Sequence, residues 1–293
     1  MQKLDHCPVC GSGELATSAP IQDHMVSKEF FTLSTCHRCS HKFTNPRVLE
    51  SEIGPYYDSP DYISHTNSNS GLFAQVYQRL RNINLGRKYR LVSRYAPSEK
   101  SLLDIGCGTG AFLHYLTTKG FSVQGVEINN GARQLASQWG QVFERVEEFS
   151  DPFDLITMWH VLEHIYDLNA FFRNLPLKKN GVLFVAVPNH QSYDANQYGE
   201  HWAAWDVPIH IHHFSQESIG AMADIHGFTL EQTVPMTLDS YYVSLLSEQF
   251  KRGGEKRALS DWFNAFSTGW KSNRRARTSS QYSSLIYVLR KKN

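Results

Sequence analysis

The segment DVPIHIHHFS carries three histidines in four positions, His210, His212 and His213, and the run His160-Val-Leu-Glu163-His164 lies upstream of it. Seven of the chain's fourteen histidines fall between His160 and His213. Imidazole exchanges a proton near neutral pH and is also a common metal ligand. Such a cluster can hold a metal, move a proton or pack a loop, and the elements around it decide which.

Four of the five cysteines form two Cys-x-x-Cys pairs, Cys7-Pro-Val-Cys10 and Cys36-His-Arg-Cys39, with 25 residues between them. Each pair turns tightly enough to aim two thiolates at one point, and four thiolates complete a tetrahedron. Gly11 follows the first pair, where the turn calls for positive φ. A redox dithiol would need only one pair, and disulfides are disfavoured in a cytoplasmic setting. The spacing predicts a zinc ribbon in which Cys7, Cys10, Cys36 and Cys39 hold a structural Zn²⁺ around a small hairpin. His37 and His41 are then surplus. Many ribbons bind nucleic acid, but Lys28, Arg38, Lys42 and Arg47 are an ordinary density of charge. A docking or substrate-shaping role is expected instead.

Residues 102–110 read LLDIGCGTG. An apolar strand ends at Asp104, and Gly106, Gly108 and Gly110 let the backbone turn and approach a ligand closely. A helix that starts at once aims its free N–H groups the same way. Gly106-x-Gly108-x-x-Ala111 also fits a dinucleotide fingerprint. Two details separate the cases. The third glycine gives Gly-x-Gly-x-Gly, and the carboxylate before the loop suits an ammonium, not a pyrophosphate. Glu127 ends the next strand and can accept both hydroxyls of a ribose. S-adenosylmethionine has that ammonium and ribose and no phosphate.

In order, LLDIGCGTGAFLHYL, GVEIN, FDLITMWHVLEHIYD and LKKNGVLFVAVPN resemble the successive motifs of class I S-adenosylmethionine-dependent methyltransferases, over roughly residues 73–235. The resemblance implies an α/β, doubly wound Rossmann-like fold with a seven-stranded sheet whose last strand, SSLIYVLRK, runs antiparallel. It implies that Asp104 and the loop Gly106, Cys107, Gly108 and Gly110 hold the methionine part, Glu127 the ribose and Ile128 the adenine. Glu147 or Glu148 would meet the adenine amine. Tyr57 and Tyr62 would close over the methionine end. His-Val-Leu-Glu-His also matches an inverted zinc-protease motif. The motif order instead makes it the start of a helix, with His160 at the strand's C-terminal end beside the cofactor as a further catalytic candidate, and Glu163 and His164 orienting the helix, lining the pocket or simply packing.

Methyl transfer is an in-line displacement that depends on alignment, and an alcohol acceptor must also lose a proton to a base. The segment 206–215 resembles the Asp-x-Pro-x-His-x-x-His-Phe-Ser signature of methyltransferases of surface-sugar biosynthesis. It is also similar to the Tyr-x-Glu-His-Phe-Ser of sugar methyltransferases that carry a cysteine-rich zinc domain. By that likeness His213 matches the catalytic histidine, while His210 and His212 stand where Tyr and Glu would be. That departure, and the want of those enzymes' further C-terminal domain within these residues, makes O-methylation the expectation over sugar C-methylation. An extended segment would place His210 and His212 on one face and His213 on the other. The base is expected to be His213 or His210. Trp202 and Trp205 offer flat faces for a sugar ring or for a loop core.

These elements sit in a chain of 293 residues, 41% hydrophobic and 19% charged, which suits one large domain with a small appendage or two modest domains. The pattern divides it into a ribbon (1–47), a linker or lid (48–72) and an α/β domain (73–293) with a helical insertion near 239–275. Phe73, Val76, Tyr77, Leu80 and Ile83 are spaced for an amphipathic helix. Short apolar strands at 101–105, 121–128, 153–159 and 181–189 then alternate with helices at 111–120, 131–139 and 160–174, with a weaker strand at QVFERV. Ser215 predicts a helix N-cap, with Ser218 lacking the Glu or Gln of a full capping box. FTLEQTVPM and SSLIYVLRKK read as final strands. No run is long and apolar enough to span a bilayer, and no secretory leader is evident, so a cytoplasmic location is expected.

Residues 251–293 hold eleven Lys/Arg against two acidic residues in a chain of net charge +1. That tail is a solvated helix face or a phosphate-binding surface. The acceptor expected is a small molecule, a sugar hydroxyl in a nucleotide sugar or glycan. RNA or protein methylation, with the ribbon and basic tail gripping the polymer, and a cofactor-binding regulator without catalysis are the alternatives.

Overall fold

The computed structural model describes residues 1–57, 72–97, 100–253 and 258–292. Five short strands open the chain: β1 (Leu15–Thr17), β2 (Ile21–Gln22), β3 (Phe30–Phe31), β4 (Leu33–Cys36) and β5 (Lys42–Thr44). A long helix, α1 (Leu72–Val92), leads into the α/β body.

The body alternates strand and helix: β6 (Ser101–Ile105), α2 (Ala111–Thr117), β7 (Ser122–Val126), α3 (Asn130–Ala136), β8 (Gln141–Phe143), β9 (Phe153–Trp159), α4 (Leu168–Asn174) and β10 (Leu177–Pro188). After α5 (Tyr193–Tyr198) and the two-residue β11 (His212–His213) come α6 (Gln216–Ile225), β12 (Phe228–Pro235), α7 (Asp239–Lys251), α8 (Leu259–Ser279) and β13 (Ser284–Lys291). The large sheet has seven strands in the order β12-β13-β10-β9-β6-β7-β8. The β10–β9, β9–β6, β6–β7 and β7–β8 pairs are parallel, and β13 is antiparallel to both β10 and β12. This is the sheet expected from the sequence.

The central strands are near-continuous apolar runs because both faces are covered. Side-chain alternation sorts them into two cores. Leu103, Ile156, Met158, Leu183 and Val185 face one way, toward Leu168, Phe172, Ile219 and Met222. Leu102, Leu155, Phe184 and Ala186 face the other, toward Leu91, Phe112, Leu113 and Leu116. Burying a side chain of this size contributes roughly 1.5–3 kcal/mol.

Three expectations need correction. Residues 160–167 are not helical: His160 has φ +60°, which an α-helix cannot hold, and only a single tight turn at Leu162–His164 follows before α4. The strand expected from 181 starts at Leu177, and the turn at Asn180 (φ +60°) is a register irregularity within it. At α6 the capping box is complete, because the Ser218 hydroxyl accepts from Ser215 N (2.8 Å) while Ser215 Oγ accepts from Ser218 N (3.1 Å).

The N-terminal strands are not a free-standing module. β11 pairs antiparallel with β5, His212 opposite Phe43 and His213 opposite Lys42, as the fourth strand of the sheet β1-β4-β5-β11. Ile21, Phe31 and Leu33 share a core with Tyr198, Trp202, Trp205 and Phe250. Trp202 and Trp205 pack edge-to-face with centroids 5.1 Å apart, and both are buried. They are loop core.

Candidate active site

The four cysteines converge. Cys7 Sγ lies 3.6 Å from Cys39 Sγ, and Cys10 Sγ lies 3.5 Å from Cys36 Sγ. All four sulfurs fall within 4.8 Å of one another, and none is in a disulfide. Two matching turns aim them. Gly11 N donates to Cys7 O and Ser40 N to Cys36 O, with φ of +71° and +58° at Gly11 and Ser40. Sequence reading found the first of these positions through its glycine and missed the second, where serine accepts the strained conformation.

The glycine loop leaves the carboxyl end of β6 and leads into α2. Gly106, Gly108 and Gly110 all have positive φ. A Cβ at Gly106 would fall 2.3 Å from Val161 Cγ2, and one at Gly110 2.9 Å from Ala136 Cα. Glycine at these two positions therefore serves both the turn and a close packing of neighbouring chain. Glu127 Oε2 accepts from Gly108 N at 2.9 Å and Oε1 from Asn129 N at 2.8 Å, so the carboxylate is held against the loop. Ile128 is 81% exposed beside it, an apolar surface open to a flat ligand. Glu147 is exposed, whereas Glu148 caps its own turn by accepting from Glu144 N and Arg145 N.

Asp104 is buried and accepts a 2.6 Å bond from Thr157 Oγ1. Burial raises its carboxyl to about 7 against the pull of Thr157 and Lys88. Lys88 sits over the Trp159 ring at 4.3 Å, and burial lowers its ammonium to about 8 although Asp104 and Asp239 favour the charge. Nothing in the helical spacing of α1 marked Lys88. Beside it lies a cavity of about 290 Å³ lined by Arg87, Lys88, Arg90, Arg94, Thr237 and Asp239, among others.

His160 stands at the C-terminal end of β9, its N–H bonded to Ala186 O. Nε2 is 3.2 Å from Asp239 Oδ2 and Nδ1 3.3 Å from Glu163 Oε1. Burial opposes the imidazolium, but the two carboxylates outweigh it and raise His160 to about 9. At neutral pH it is an imidazolium, a fixed positive charge with no lone pair to offer. Asp239, from the helical insertion, was invisible in the sequence as a partner of His160.

Glu163 is fully buried; its Oε1 pairs with His160 Nδ1, and its Oε2 has no hydrogen-bond partner. His164 Nδ1 is 2.9 Å from Ile209 O and 3.1 Å from Tyr57 Oη. His210 Nδ1 is 3.0 Å from Ala204 O, and its ring meets that of His164 edge-on at 4.8 Å. Each ring donates Nδ1–H to a carbonyl, which leaves its lone pair on Nε2. Burial lowers both imidazoles, His164 to about 4. Asp206, with φ +38°, puts Oδ2 3.9 Å from His210 Nε2, and burial raises it to about 7. Tyr57 thus meets this cluster, and Tyr62 lies outside the described residues.

The other two histidines of the segment are fastened to the ribbon. His212 bridges His41 Nε2 (3.0 Å) and Ile165 O (2.9 Å), and burial lowers it to about 3. His41, expected to be surplus, is fully buried, stacked on Phe43 and tilted against His212 and Phe214. His213 Nε2 is 3.3 Å from Thr44 Oγ1, its ring sits edge-on to Trp205, and burial holds it well below the usual range. The expected alternation holds: His210 and His212 face the 164–165 turn, and His213 faces Thr44 and Trp205.

With this geometry in hand, the family whose description is "methyltransferase domain" matches residues 77–233. The chain belongs to that family and carries a class I S-adenosylmethionine-dependent methyltransferase domain. The ubiquinone biosynthesis O-methyltransferase of Histophilus somni is 33% identical over 110 residues, covering 31% of this chain and 46% of that enzyme. The enzyme of the same name from Pseudomonas putida is 23% identical over 181 residues, covering 55% of this chain and 78% of its own. The chain therefore spans less than half the length of the first of these relatives. The solved structure of Haemonchus contortus phosphoethanolamine N-methyltransferase 2 in complex with S-adenosyl-L-methionine superimposes with a TM-score of 0.51 at 16% identity, over 90% of this chain and 63% of that one. It shares the fold.

Proposed function

We propose that this methyltransferase transfers the methyl group of S-adenosylmethionine to a hydroxyl of a small acceptor, a sugar in a nucleotide sugar or glycan, and that His210 receives that hydroxyl. The observation that carries the reading is the division of labour among the buried histidines. His160 is held as an imidazolium between Glu163 and Asp239. His212 and His213 are committed to the ribbon. His210 keeps a neutral ring whose Nδ1–H is fixed by Ala204 O, so Nε2 presents its lone pair. Asp104 and the glycine loop would take the methionine part, Glu127 the ribose and Ile128 the adenine.

Two features support the acceptor class. O-methylation is the activity in the names of the relatives above. The cavity beside His160 and Asp239 sets Arg87, Lys88, Arg90 and Arg94 against one carboxylate, which complements the phosphates of a nucleotide sugar.

The four sulfurs fit a structural Zn²⁺. Ligands at about 2.3 Å in a tetrahedron stand about 3.8 Å apart, close to the 3.5 and 3.6 Å separations of the paired thiols. Cys7, Cys10, Cys36 and Cys39 would hold the ion, which supplies folding energy to the turns and takes no part in the transfer. The ribbon's task is to supply β5, on which β11 of the histidine segment is laid.

The test is turnover, read as S-adenosylhomocysteine formed over a panel of nucleotide sugars. His210→Asn keeps an amide donor for Ala204 O and is expected to lose about 10²–10⁴-fold in kcat, while cofactor binding is retained. Undiminished kcat in that variant would move the acceptor elsewhere.

A further inference from the structure

Glu163, His164 and His210 are brought together from two segments of the chain, and each offers a ligand atom within 4.8 Å of the others. The group has the internal marks of a coordination site. Histidines that bind metals are held by a second bond from the other ring nitrogen to a carbonyl or carboxylate. Both rings show it, to Ile209 O and Ala204 O. The third member is a carboxylate, fully buried, whose Oε1 pairs with His160 and whose Oε2 has no hydrogen bond. Its one charged neighbour is His160 at 3.3 Å, which is shared with Asp239. A buried carboxylate oxygen left without a hydrogen bond is costly, and two imidazole lone pairs beside it have no proton to give.

The group is also well placed. Val161, one residue after His160, packs on Gly106, so the turn carrying Glu163 and His164 starts against the glycine loop proposed to hold the methionine part. Asp206 stands just beyond His210.

We infer that Glu163, His164 and His210 bind a divalent first-row cation whose open position takes the acceptor's hydroxyl oxygen. The inference rests on the reading of His210 as the acceptor-side residue, and it deepens that reading: His210 acts through the cation. Two imidazoles and a carboxylate suit Mn²⁺, Fe²⁺ or Zn²⁺, and the bound cation makes a hydroxyl more acidic. The hydroxyl proton passes to Asp206. An oxygen lone pair then forms the new C–O bond, the methyl C–S bond breaks with its electron pair moving to sulfur, and the sulfonium becomes a neutral thioether. An acceptor with neighbouring oxygens, as on a sugar ring, is the class such a cation recognises.

Mn²⁺ is the probe, because it prefers nitrogen and oxygen ligands and leaves the four-cysteine site alone. The intact chain is titrated with MnCl₂ without cofactor or acceptor, and the electron paramagnetic resonance signal of free Mn²⁺ is followed. One bound Mn²⁺ per chain is expected, with affinity reduced about tenfold or more by His210→Asn, His164→Gln and Glu163→Gln. Should Glu163→Gln fail to fold, the two histidine variants carry the test, and calorimetry with S-adenosylmethionine reports their integrity. No uptake by the wild type, or equal uptake by folded variants, overturns the cation site. A wild type that takes up Mn²⁺ but not S-adenosylmethionine would instead overturn the cofactor reading and leave the cation site standing. Loss of turnover in His210→Asn without any Mn²⁺ uptake would leave His210 as a direct base.

Discussion

His41 Nε2 and His212 Nδ1 stand 3.0 Å apart across the β5–β11 pairing, with both rings buried. This bond joins a residue two positions past the last ribbon cysteine to the segment that carries His210. Through it the cysteine-bearing strands are tied to the segment proposed to meet the acceptor, and their loss should be felt there.

Cys36→Ser is expected to lose bound zinc, measured by elemental analysis, and to release β5 from β11. Limited proteolysis should then cut the segment near 206–213 that resists cleavage in the wild type. A variant without zinc whose segment stays protected would show that β11 does not depend on the ribbon.

Acid should destabilise the fold. Burial lowers His41, His164, His190, His210, His212 and His213 in the folded state, against an unfolded value of about 6.5. Below that value the unfolded chain binds more protons than the folded one, so stability falls as pH drops through about 6.5. Each histidine contributes a slope approaching about 1.4 kcal/mol per pH unit. His160 has the opposite sign: its contribution is present below about 6.5 and is lost as pH rises toward 9. Urea midpoints at pH 8, 7, 6 and 5 should fall steeply over the last two steps, and a flat profile would contradict burial of these rings as neutral imidazoles.

Much of this was legible beforehand, and the exceptions share a cause. Asp104, the glycine loop and Glu127 are local in sequence, so a strand, a turn and a helix start place them without further help. The four cysteines carry their own spacing. His160 could be put at a strand end, but not its state, because Asp239 approaches from an insertion far along the chain. His41 looked surplus because its partner is 171 positions away. Lys88 and Asp206 have ordinary neighbours in sequence, and only burial makes their charges matter.

Glu127→Ala should weaken S-adenosylmethionine binding by roughly 10–100-fold, the loss of one charge-assisted pair of bonds at about 1.5–3 kcal/mol. Isothermal calorimetry reads it directly. An unchanged Kd would remove Glu127 from the ribose site.

Glycine substitutions should rank by what a Cβ meets. Gly108→Ala carries only the strain of φ +56°, with nothing within 4 Å. Gly110→Ala carries φ +78° and a contact of 2.9 Å with the backbone of α3 at Ala136. Gly110→Ala is therefore expected to destabilise the fold more, by about 1–3 kcal/mol for the overpacking, read as the lower melting temperature of the two variants. Equal losses would show that α3 yields at no cost.

We propose that His210, and not His213, serves the acceptor's hydroxyl. This is tested most directly by comparing kcat of His210→Asn and His213→Asn on one methylated nucleotide sugar, with cofactor affinity measured in parallel. The expected result is a drop of about 10²–10⁴-fold for His210→Asn and a much smaller one for His213→Asn, with S-adenosylmethionine Kd unchanged in both. The contrary result, full turnover without His210 and its loss without His213, would place the acceptor on the other face of the segment.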